Sequence, residues 1–432
     1  MEKMKIFVSG ASLSMNLGGP SIFHGLVKVL RHAFPDCRIV YHEATNISEK
    51  PESSPVSSPD YPDVRFVYGS LDSGNQTKGK RKLLRSMYNY TRHFGPLIGR
   101  VWRKQFGSYN IIAEQGAEIA EEIRTSDLYI EAWGIAFADS LRKMKYKRYI
   151  KSNSLMKTAA FFGIKSVHYT ASYGPMNRIW SRLAAQKALG SLCSLVYCRE
   201  IESQNNLLSC GIPSEKLIVA PDTGFLMPSV ADPQLKPDSS RPCVGVSVSH
   251  QIHRQWSSET PYIQLIARIC DRIRKEWNAR ILLIPNELSD KRYDDTAVAE
   301  DILLQISEKQ DIEIYPARQR TAPEQKGVIA HCDLLIASRY HSIVAAMSKG
   351  TPTVVVGWHH KYGALLDRFA QENCGLSCRD CDETRLWNLC KEIWANRREI
   401  KKTITTRIPE LENEIYTAAE KMRSLFCSDI GV

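Results

Sequence analysis

Arg339, a permanent cation, and His341, a titratable imidazole, stand two positions apart in this sequence. An apolar run over 334–337 precedes them, and a helical pattern begins at Ile343. The order strand, loop, helix predicts that both side chains lie at the carboxyl edge of a parallel sheet, where α/β folds bind ligands. Helix N-termini attract anions, Arg binds carboxylate or phosphate through paired hydrogen bonds, and His transfers protons. The alternative is a surface arginine beside a helix-capping histidine.

Other side chains with acid–base or anion-binding chemistry also follow predicted strands. Asp222 and Glu200 each come after one, and either is a candidate base for a hydroxyl group. The alternatives are that Asp222 caps the next turn and that Glu200 orients a neighbouring arginine. His360 and Lys361 follow the predicted strand 353–357. Lys361 is either a phosphate contact or a plain surface lysine.

Length and composition set the broad class of the protein. With 432 residues, 43% of them hydrophobic and 24% charged, the chain exceeds one ordinary core and predicts two globular domains. The N-terminus runs into a strand without an apolar signal region, and no apolar run approaches the ~18 residues of a membrane span. The scattered cysteines indicate reduced thiols. A cytoplasmic protein, with membrane association left open, is therefore predicted.

One cysteine cluster, formed by Cys374, Cys378 and Cys381, has the spacing that holds an iron–sulfur cluster in some enzymes. It lies near the C-terminus, and no barrel pattern surrounds it. Free thiols are predicted, with an iron–sulfur or zinc site as the alternative. No other metal constellation stands out, so neither a metal nor a cofactor is predicted.

The net charge of +11 is concentrated in two stretches. Residues 78–104 hold nine Lys or Arg and no acidic residue, and residues 142–151 hold six more. Aromatic residues interleave with the charges. Such a surface suits an anionic membrane, a diphosphate-linked acceptor or nucleic acid, or is simply solvated. No nucleic-acid-binding signature accompanies it, so no nucleic acid is predicted and peripheral contact with an anionic membrane stays open.

Apolar periodicity alternates between strand and helix in both halves of the chain. The first βα loop bears glycines but lacks the spacing of a nicotinamide-binding fingerprint. A proline-rich stretch over 227–242 is predicted to link two domains, residues 1–226 on the acceptor side and 243–432 on the donor side. Each is predicted to be a doubly wound α/β unit, with helices at the C-terminus.

A series of short motifs runs in order over most of the chain. The motifs are Asn16-Leu17-Gly18, Ser172-Tyr173-Gly174-Pro175, Cys198-Arg199-Glu200, Pro221-Asp222, Ser338-Arg339-Tyr340-His341, Gly350-Thr351-Pro352 and His360-Lys361-Tyr362. With these motifs in this order the chain resembles the polysaccharide pyruvyl transferase family, and residues 44–110 lie outside the resemblance.

The resemblance implies an α/β, glycosyltransferase-B-like fold, in which two Rossmann-like domains have parallel sheets that face a central cleft. It implies transfer of pyruvate from phosphoenolpyruvate to sugar hydroxyls of a polysaccharide or lipid-linked glycan, forming a ketal and releasing phosphate. In the family the second domain holds the donor through the positions that match Arg339 and His341. Arg199 matches the arginine that contacts the donor from the first domain.

These expectations assign a role to each candidate residue. His341 is the candidate acid and Asp222 the candidate base. The donor is expected to contact Arg339, Arg199, Asn286, Lys361 and Tyr340. The acceptor or the cleft is expected to involve Asn16, Gly18, Tyr173 and His360.

Asn286 marks a departure from the family pattern. Some members carry a histidine in the loop after the strand that matches 282–284, and Asn286 stands at that position here. Asparagine can hydrogen-bond phosphate but cannot donate a proton as an acid. Either His341 takes that role or the chemistry differs. The alternatives are a nucleotide-sugar-dependent glycosyltransferase of the same fold and a non-catalytic glycan- or membrane-binding relative.

Overall fold

The structure, a computed structural model, describes residues 3–14, 16–43, 61–68, 118–139, 154–232, 240–288 and 294–427. The chain divides into two compact units. Unit 1 comprises Met1–Ser12, Leu30–Ala220 and Ala418–Val432, and unit 2 comprises Leu13–Val29 and Pro221–Thr417. Both units are thus discontinuous in sequence, whereas the sequence prediction divides the chain once, at 227–242.

Unit 1 is built on a sheet that has eight parallel strands within the described residues, in the order β3-β2-β1-β4-β6-β7-β8, with β5 paired to β6. The strand order reverses between β1 and β4, as in doubly wound folds. The elements are β1 (Lys5–Ser9), the end of α1 (Gly18–Ala33), β2 (Arg38–Glu43), β3 (Val64–Tyr68), α2 (118–124), β4 (Leu128–Ala132), β5 (Ile135–Ala136), α3 (Ser154–Phe161), β6 (Lys165–Tyr173), α4 (Ile179–Ala185), a π-helix (Gln186–Gly190), β7 (Leu195–Cys198), α5 (Ile201–Leu208), a 3₁₀ helix (Ser214–Lys216) and β8 (Leu217–Val219).

Unit 2 carries a second parallel sheet, with six strands in its described part and the order β11-β10-β9-β12-β13-β14. Its strand order reverses between β9 and β12, so the loops after these strands are where a ligand is expected. The elements after the start of α1 are a 3₁₀ helix (Thr223–Leu226), β9 (Cys243–Ser247), α6 (His250–Gln255), α7 (Tyr262–Trp277), β10 (Arg280–Leu283), α8 (Asp295–Gln305), β11 (Ile312–Ile314), a 3₁₀ helix (Ala317–Gln319), α9 (Ala322–Ala330), β12 (Leu334–Ala337), α10 (Tyr340–Met347), β13 (Thr353–Gly357), α11 (His360–Arg368), a 3₁₀ helix (Glu372–Cys374), β14 (Gly375–Ser377) and α12 (Glu383–Cys427).

Local sequence explains where several of these elements begin and end. β13 is apolar and buried along its whole length, as expected for a parallel strand covered on both faces. α9 starts with a capping box, in which Thr321 and Glu324 each accept the backbone N–H of the other, and Pro323 lies in its first turn. α7 ends at Asn278, whose φ of 50° is a left-handed conformation that Asn and Gly tolerate.

The predicted strand, loop, helix, turn and strand around residue 339 are confirmed as β12, α10 and β13. The helix starts at Tyr340 rather than at the predicted Ile343, with Arg339 at its N-cap in an extended conformation. Gly350 lies between α10 and β13 and has a φ of 72°, a conformation that residues other than glycine rarely adopt. The loop between β12 and α10 is short, since only Ser338 and Arg339 separate the strand from the helix.

The segment 221–232 lies along α9, so the first part of the predicted linker is a packed part of unit 2. The buried amine of Lys326, whose pKa is lowered by burial to about 7, donates to the carbonyls of Phe225 and Met227, at 3.0 and 2.7 Å. Asp232, whose side chain is fully buried, pairs with Arg320 through a contact of 2.7 Å. A buried lysine on backbone carbonyls and an ion pair hold the segment at both ends.

Two further expectations concern membranes. Within the described residues, no helix has both the length and the apolar content required to cross a bilayer. The basic stretches 78–104 and 142–151 lie outside the described residues.

Gly327→Ala is expected to destabilise the protein, because a Cβ at this position in α9 would lie 1.9 Å from the backbone oxygen of Val230. Overpacking costs about 1–3 kcal/mol, which exceeds the roughly 0.5–1 kcal/mol by which Ala favours a helix over Gly. The matched control is Gly363→Ala in α11, where a Cβ meets nothing within 4 Å, so its stability should rise slightly. Urea unfolding measures both changes, and equal unfolding free energies for the two variants would contradict the close packing.

Candidate functional site

The loops after β9, β10 and β12 meet at one buried carboxylate, that of Asp295 at the start of α8. Its side chain is fully buried. Arg339 donates to both of its oxygens, with Nε at 2.7 Å from Oδ2 and a terminal nitrogen on Oδ1. The backbone N–H groups of His250, Asn286 and Glu287 also donate to it, at 2.9, 3.2 and 2.9 Å. One carboxylate thus fixes three loops where the strand order reverses.

These contacts keep Asp295 charged despite its burial. Burial alone would raise its pKa, but the charge of Arg339 and hydrogen bonds from His250 and Arg339 lower the pKa of Asp295 from 3.8 to about 2. Burial also works against the charge on Arg339, but Asp295 and Glu287 outweigh it and raise the pKa of Arg339 above its ordinary value. The pair therefore stays ionised at any ordinary pH.

Two more titratable groups surround the Arg339 guanidinium. Glu287 places a carboxylate oxygen 3.0 Å from one terminal nitrogen. His250 Nδ1 lies 2.9 Å from the other terminal nitrogen and 3.3 Å from Asp295. His250 Nδ1 thus lies within hydrogen-bonding distance of both the guanidinium and the carboxylate. Arg339, predicted to bind the donor, is thus already bound by two carboxylates of the protein, whose charges together exceed its own.

His341, in the first turn of α10, faces a second buried carboxylate. Its Nε2 lies 3.6 Å from Oδ2 of Asp222, whose side chain is fully buried. The other oxygen of Asp222 accepts the N–H of Gly224 at 2.7 Å and caps the following 3₁₀ helix. Asp222 is therefore both the turn cap and a partner for His341. Its role as the base for the acceptor stays a prediction.

The start of α1 lies against His341. A Cβ added at Gly18 would lie 2.4 Å from Nδ1 of His341, so only glycine permits this approach. Asn16 caps the helix, since its side-chain oxygen accepts the N–H of Gly19 at 2.7 Å. The backbone of Asn16 also pairs with Glu287 in an antiparallel bridge. Asn16 and Gly18, predicted on the acceptor side, belong to unit 2 and build the surroundings of His341 and Arg339.

Asn286 is buried and ties several segments of unit 2 together. Its side-chain amide donates to Gln325 at 3.2 Å and more weakly to Ser342 at 3.5 Å. Its backbone carbonyl accepts the N–H of Leu17 at 3.0 Å. The side chain therefore has a structural function, and contact with the donor stays a prediction.

Three aromatic rings surround the ammonium group of Lys361. Its Nζ lies 4.8 Å from the ring centroid of Tyr340, 5.4 Å from that of Tyr362 and 5.8 Å from that of Trp358. Aromatic faces attract cations. The Tyr340 ring in turn meets His341 edge-on, with centroids 5.5 Å apart. Lys361 and Tyr340 are thus held beside the start of α10, which is where the sequence placed them.

Two histidines precede Lys361 in the loop after β13. His359 takes the N-cap of α11, and its Nδ1 accepts the N–H of Lys361 at 3.4 Å. The ring of His360 lies against that of His359, with centroids 3.9 Å apart. His360 is half-buried, and its expected place beside the acceptor stays a prediction.

Arg199 and Tyr173 lie in unit 1. Arg199 is buried and donates to the carbonyls of Gly134 and Trp133, at 3.0 and 3.5 Å, so it supports the loop after β4. The Tyr173 side chain is fully buried, and its hydroxyl is bonded to His168 at 2.6 Å. Its ring belongs to the core of unit 1, and its expected involvement with the acceptor or the cleft stays a prediction. Donor contact by Arg199 stays a prediction.

Glu200, the other candidate base, is buried at the start of α5. One of its oxygens accepts the Ser172 hydroxyl at 3.1 Å, and the other accepts the Ser203 hydroxyl. These contacts join the start of α5 to the end of β6. Its role as a base stays a prediction.

The cysteine cluster consists of buried free thiols. Burial raises the pKa of Cys374 to about 11 and that of Cys381 to about 12, so both are protonated at neutral pH. Across the residues that the structure describes, no three side chains of His, Cys, Asp or Glu are arranged to hold a metal ion.

Sequence reasoning missed the two carboxylates that bind Arg339. Asp295 lies 44 residues before Arg339, and an acidic residue at a helix start ordinarily needs no partner. The available signal was positional. Asp295 opens the helix after β10, so it lies at the same sheet edge as the loop after β12.

Comparison with known proteins relates this geometry to a family. A family model described as polysaccharide pyruvyl transferase matches residues 16–360. No protein of curated function matches the chain.

Solved structures resemble the chain along nearly its full length. HepE of Anabaena (Alr3699), in complex with UDP-glucose, has a TM-score of 0.56 and 12% identity, over 99% of this chain and 100% of that one. The UDP-GlcNAc 2-epimerase of Neisseria meningitidis, bound to UDP-GlcNAc, has a TM-score of 0.60 and 12% identity, over 98% and 100%. At this identity the likeness concerns the fold. It confirms the predicted glycosyltransferase-B-like α/β class with two Rossmann-like domains.

Asp295→Asn is expected to destabilise the protein by about 3–5 kcal/mol, because it leaves the partly buried Arg339 without its main counter-charge. The folded pKa of Asp295 lies below its unfolded value, so its ionisation stabilises the protein above pH 3.8, and this contribution is lost as pH falls toward 2. Stability measured across that acid range should therefore fall less steeply in Asp295→Asn than in the wild type. The exposed Asp367→Asn is the control, and a variant at 295 as stable as that control would exclude the buried pair.

Proposed function

The chain belongs to the polysaccharide pyruvyl transferase family, and we propose that it moves a pyruvyl group from phosphoenolpyruvate to sugar hydroxyls of a polysaccharide or lipid-linked glycan. The family match over 16–360 includes the start of α1, the turn at Asp222 and the whole of α10. The observation that carries the proposal is the pairing of His341 with the buried Asp222 at the start of α10.

This pairing suits a proton-transfer role for His341. A buried carboxylate 3.6 Å from an imidazole nitrogen attracts the charged form of the ring. Asp222 lies on the Nε2 side of the His341 ring. Asp222 then acts as a positioning residue, and His341 is the catalytic residue.

One histidine can serve both proton transfers of the first step. The His341 imidazolium gives a proton to the methylene carbon of phosphoenolpyruvate, and a sugar hydroxyl bonds to the adjacent carbon. The neutral imidazole then takes the proton of that hydroxyl. The carbon–oxygen bond to phosphate breaks next, and a second sugar hydroxyl closes the ketal while its proton leaves with the phosphate. A positioned acid–base group of this kind contributes about 10²–10⁴-fold to the rate.

Binding of the anionic donor is assigned to Lys361 and the N-terminus of α10. Arg339 is surrounded by Asp295 and Glu287, so this group offers an anion no net positive charge. The first N–H groups of α10 lack intrahelical acceptors and favour an anion. Lys361 adds a full charge, held by Tyr340 beside the same helix start. In this assignment Arg339 has a structural role in the loop after β12.

Transfer from a nucleotide sugar is the second candidate. Two structures of the same fold are described as complexes with UDP-glucose and UDP-GlcNAc. These likenesses at 12% identity show the fold alone, so both nucleotide sugars serve as the competing donors in the test.

The test is incubation of the protein with phosphoenolpyruvate and a panel of sugars and lipid-linked glycans, while free phosphate and product mass are followed. Acceptor-dependent phosphate release, with a product heavier by one ketal-linked pyruvyl group, supports the proposal. Turnover of UDP-glucose or UDP-GlcNAc with no use of phosphoenolpyruvate would replace it with the second candidate. Binding of glycan without turnover of any donor would indicate a non-catalytic relative.

His341→Gln is expected to lower kcat by about 10²–10⁴-fold, because Gln keeps hydrogen bonding but cannot transfer a proton.

Asp222→Asn should lower kcat by about 10²-fold with little change in KM, since it still caps Gly224 but no longer stabilises the charged imidazole. It should also shift the pH profile of kcat, which a purely structural defect would not do. His331→Gln, at the C-terminal end of α9, is the control. If the kcat values of His341→Gln and Asp222→Asn both lay within a factor of two of the kcat of this control, His341 would be excluded from the mechanism.

Lys361→Met is expected to raise KM for phosphoenolpyruvate about tenfold or more with a smaller effect on kcat, because one charged contact to the donor is lost. Methionine keeps the length of the side chain among the rings of Tyr340, Trp358 and Tyr362. The exposed Lys349→Met is the control for net charge. An unchanged KM would exclude Lys361 from donor binding.

A further inference from the structure

Unit 1 exposes large apolar side chains along one helix. Ile179, Trp180 and Leu183 of α4 are 64%, 58% and 46% exposed. At about 100° per residue, Leu183 lies one turn above Ile179 and Trp180 lies beside them, so the three form one continuous stripe. Exposed apolar residues that occur singly need no explanation, whereas a contiguous exposed patch marks an interaction surface.

The opposite face of α4 is the one that packs against the protein. Ser181 and Ala185 are its buried residues, and both are small. The usual arrangement is thus reversed, with the large apolar residues pointing outward and small ones inward. This is the pattern of a helix whose apolar side meets something other than its own core.

Asp139 fixes the position of this helix. Its carboxylate accepts the backbone N–H groups of Asn177 and Arg178, at 2.6 and 3.0 Å, and the Ser181 hydroxyl at 2.7 Å. The N-terminus of α4 is therefore capped from another segment of unit 1. The exposed stripe is presented by an anchored helix and is not a frayed end.

Basic residues flank the stripe. Residues 175–192 contain Arg178, Arg182 and Lys187 and no Asp or Glu, and all three basic residues are exposed. Lys157 of α3 lies near enough that its burial together with the charge of Lys187 lowers the pKa of Lys157. The surface around the stripe is therefore uniformly positive over these two elements.

We propose that the outward face of α4 rests on an anionic lipid surface, with Ile179, Trp180 and Leu183 in the interfacial layer and Arg178 and Lys187 on the lipid headgroups. Helices that lie in a membrane interface combine an apolar face bearing Trp and Leu with flanking Lys and Arg. Cations near an anionic leaflet add attraction that falls off within a Debye length. This contact does not depend on the reaction proposed above, and binding is measured without a donor.

A protein partner would use the same stripe differently. Interfaces between proteins are depleted of lysine at their centres and need acidic groups opposite each basic one. Within the described residues 175–192, the charged side chains that flank the stripe are all positive. Two copies of this chain could not place these surfaces face to face without repulsion. Association of two copies through this stripe is therefore the alternative to lipid binding.

The test is co-sedimentation of the full-length protein with vesicles of phosphatidylcholine alone and of equal parts phosphatidylcholine and phosphatidylglycerol. The wild type is expected to bind the anionic vesicles and to lose binding progressively as salt is raised. The triple variant Ile179→Ser/Trp180→Ser/Leu183→Ser should bind about tenfold or more weakly, because it removes the apolar contact. Arg178→Gln/Lys187→Gln should bind more weakly and with less dependence on salt.

Controls separate this surface from general stickiness. Leu304→Ser, at an apolar position of unit 2 that is 70% exposed, should bind as the wild type does. Melting curves check that each variant is folded, and Ile179→Ser alone replaces the triple variant if that one is not. Equal vesicle binding by wild type and folded stripe variants would overturn the proposal. Absence of vesicle binding by the wild type would also overturn the proposal. This conclusion holds for a monomeric protein and equally for a dimer that the stripe variants dissociate.

Discussion

The buried ion pair of Asp295 and Arg339 is the constraint on which the candidate site depends. Removing a carboxylate from water costs several kcal/mol, and a buried pair rarely recovers more than that cost. What the pair supplies is position. Asp295 accepts hydrogen bonds from Arg339 and from backbone N–H groups of the loops after β9 and β10. The positions of the three loops are therefore linked through one carboxylate. The start of α10, and with it His341, is set by a charge in the interior.

The same pair determines where an anion can bind. A free arginine at a helix start would dominate the local potential, but here Asp295 and Glu287 more than neutralise Arg339. The positive potential that remains at this edge comes from the N–H groups of α10 and from Lys361. His341 has its own buried carboxylate in Asp222. In the proposed mechanism, support by Arg339 and chemistry by His341 are therefore divided between two residues only two positions apart in the chain.

The sequence predicted well whatever depends on neighbouring residues. Apolar runs, a turn glycine and helical spacing predicted the strand–helix–strand unit around Arg339, and alternation of such units predicted two parallel sheets. The partners of Arg339 depend on folding, because a carboxylate 44 residues away has no local signature. The burial of Tyr173 could not be predicted for a related reason: a motif position says nothing about which way a side chain points, and this one points into the core.

The first loop of the chain shows why a domain boundary drawn along the sequence is insufficient. Residues 13–29 belong to unit 2 although the strands on either side belong to unit 1. Close contacts enforce this: a Cβ at Gly25 would lie 1.8 Å from the Thr223 carbonyl, and one at Gly18 would overlap His341. A substitution in this loop therefore acts on His341, the proposed proton-transfer residue. Since a side chain at Gly18 would displace His341, the start of α1 is part of the geometry of the proposed site.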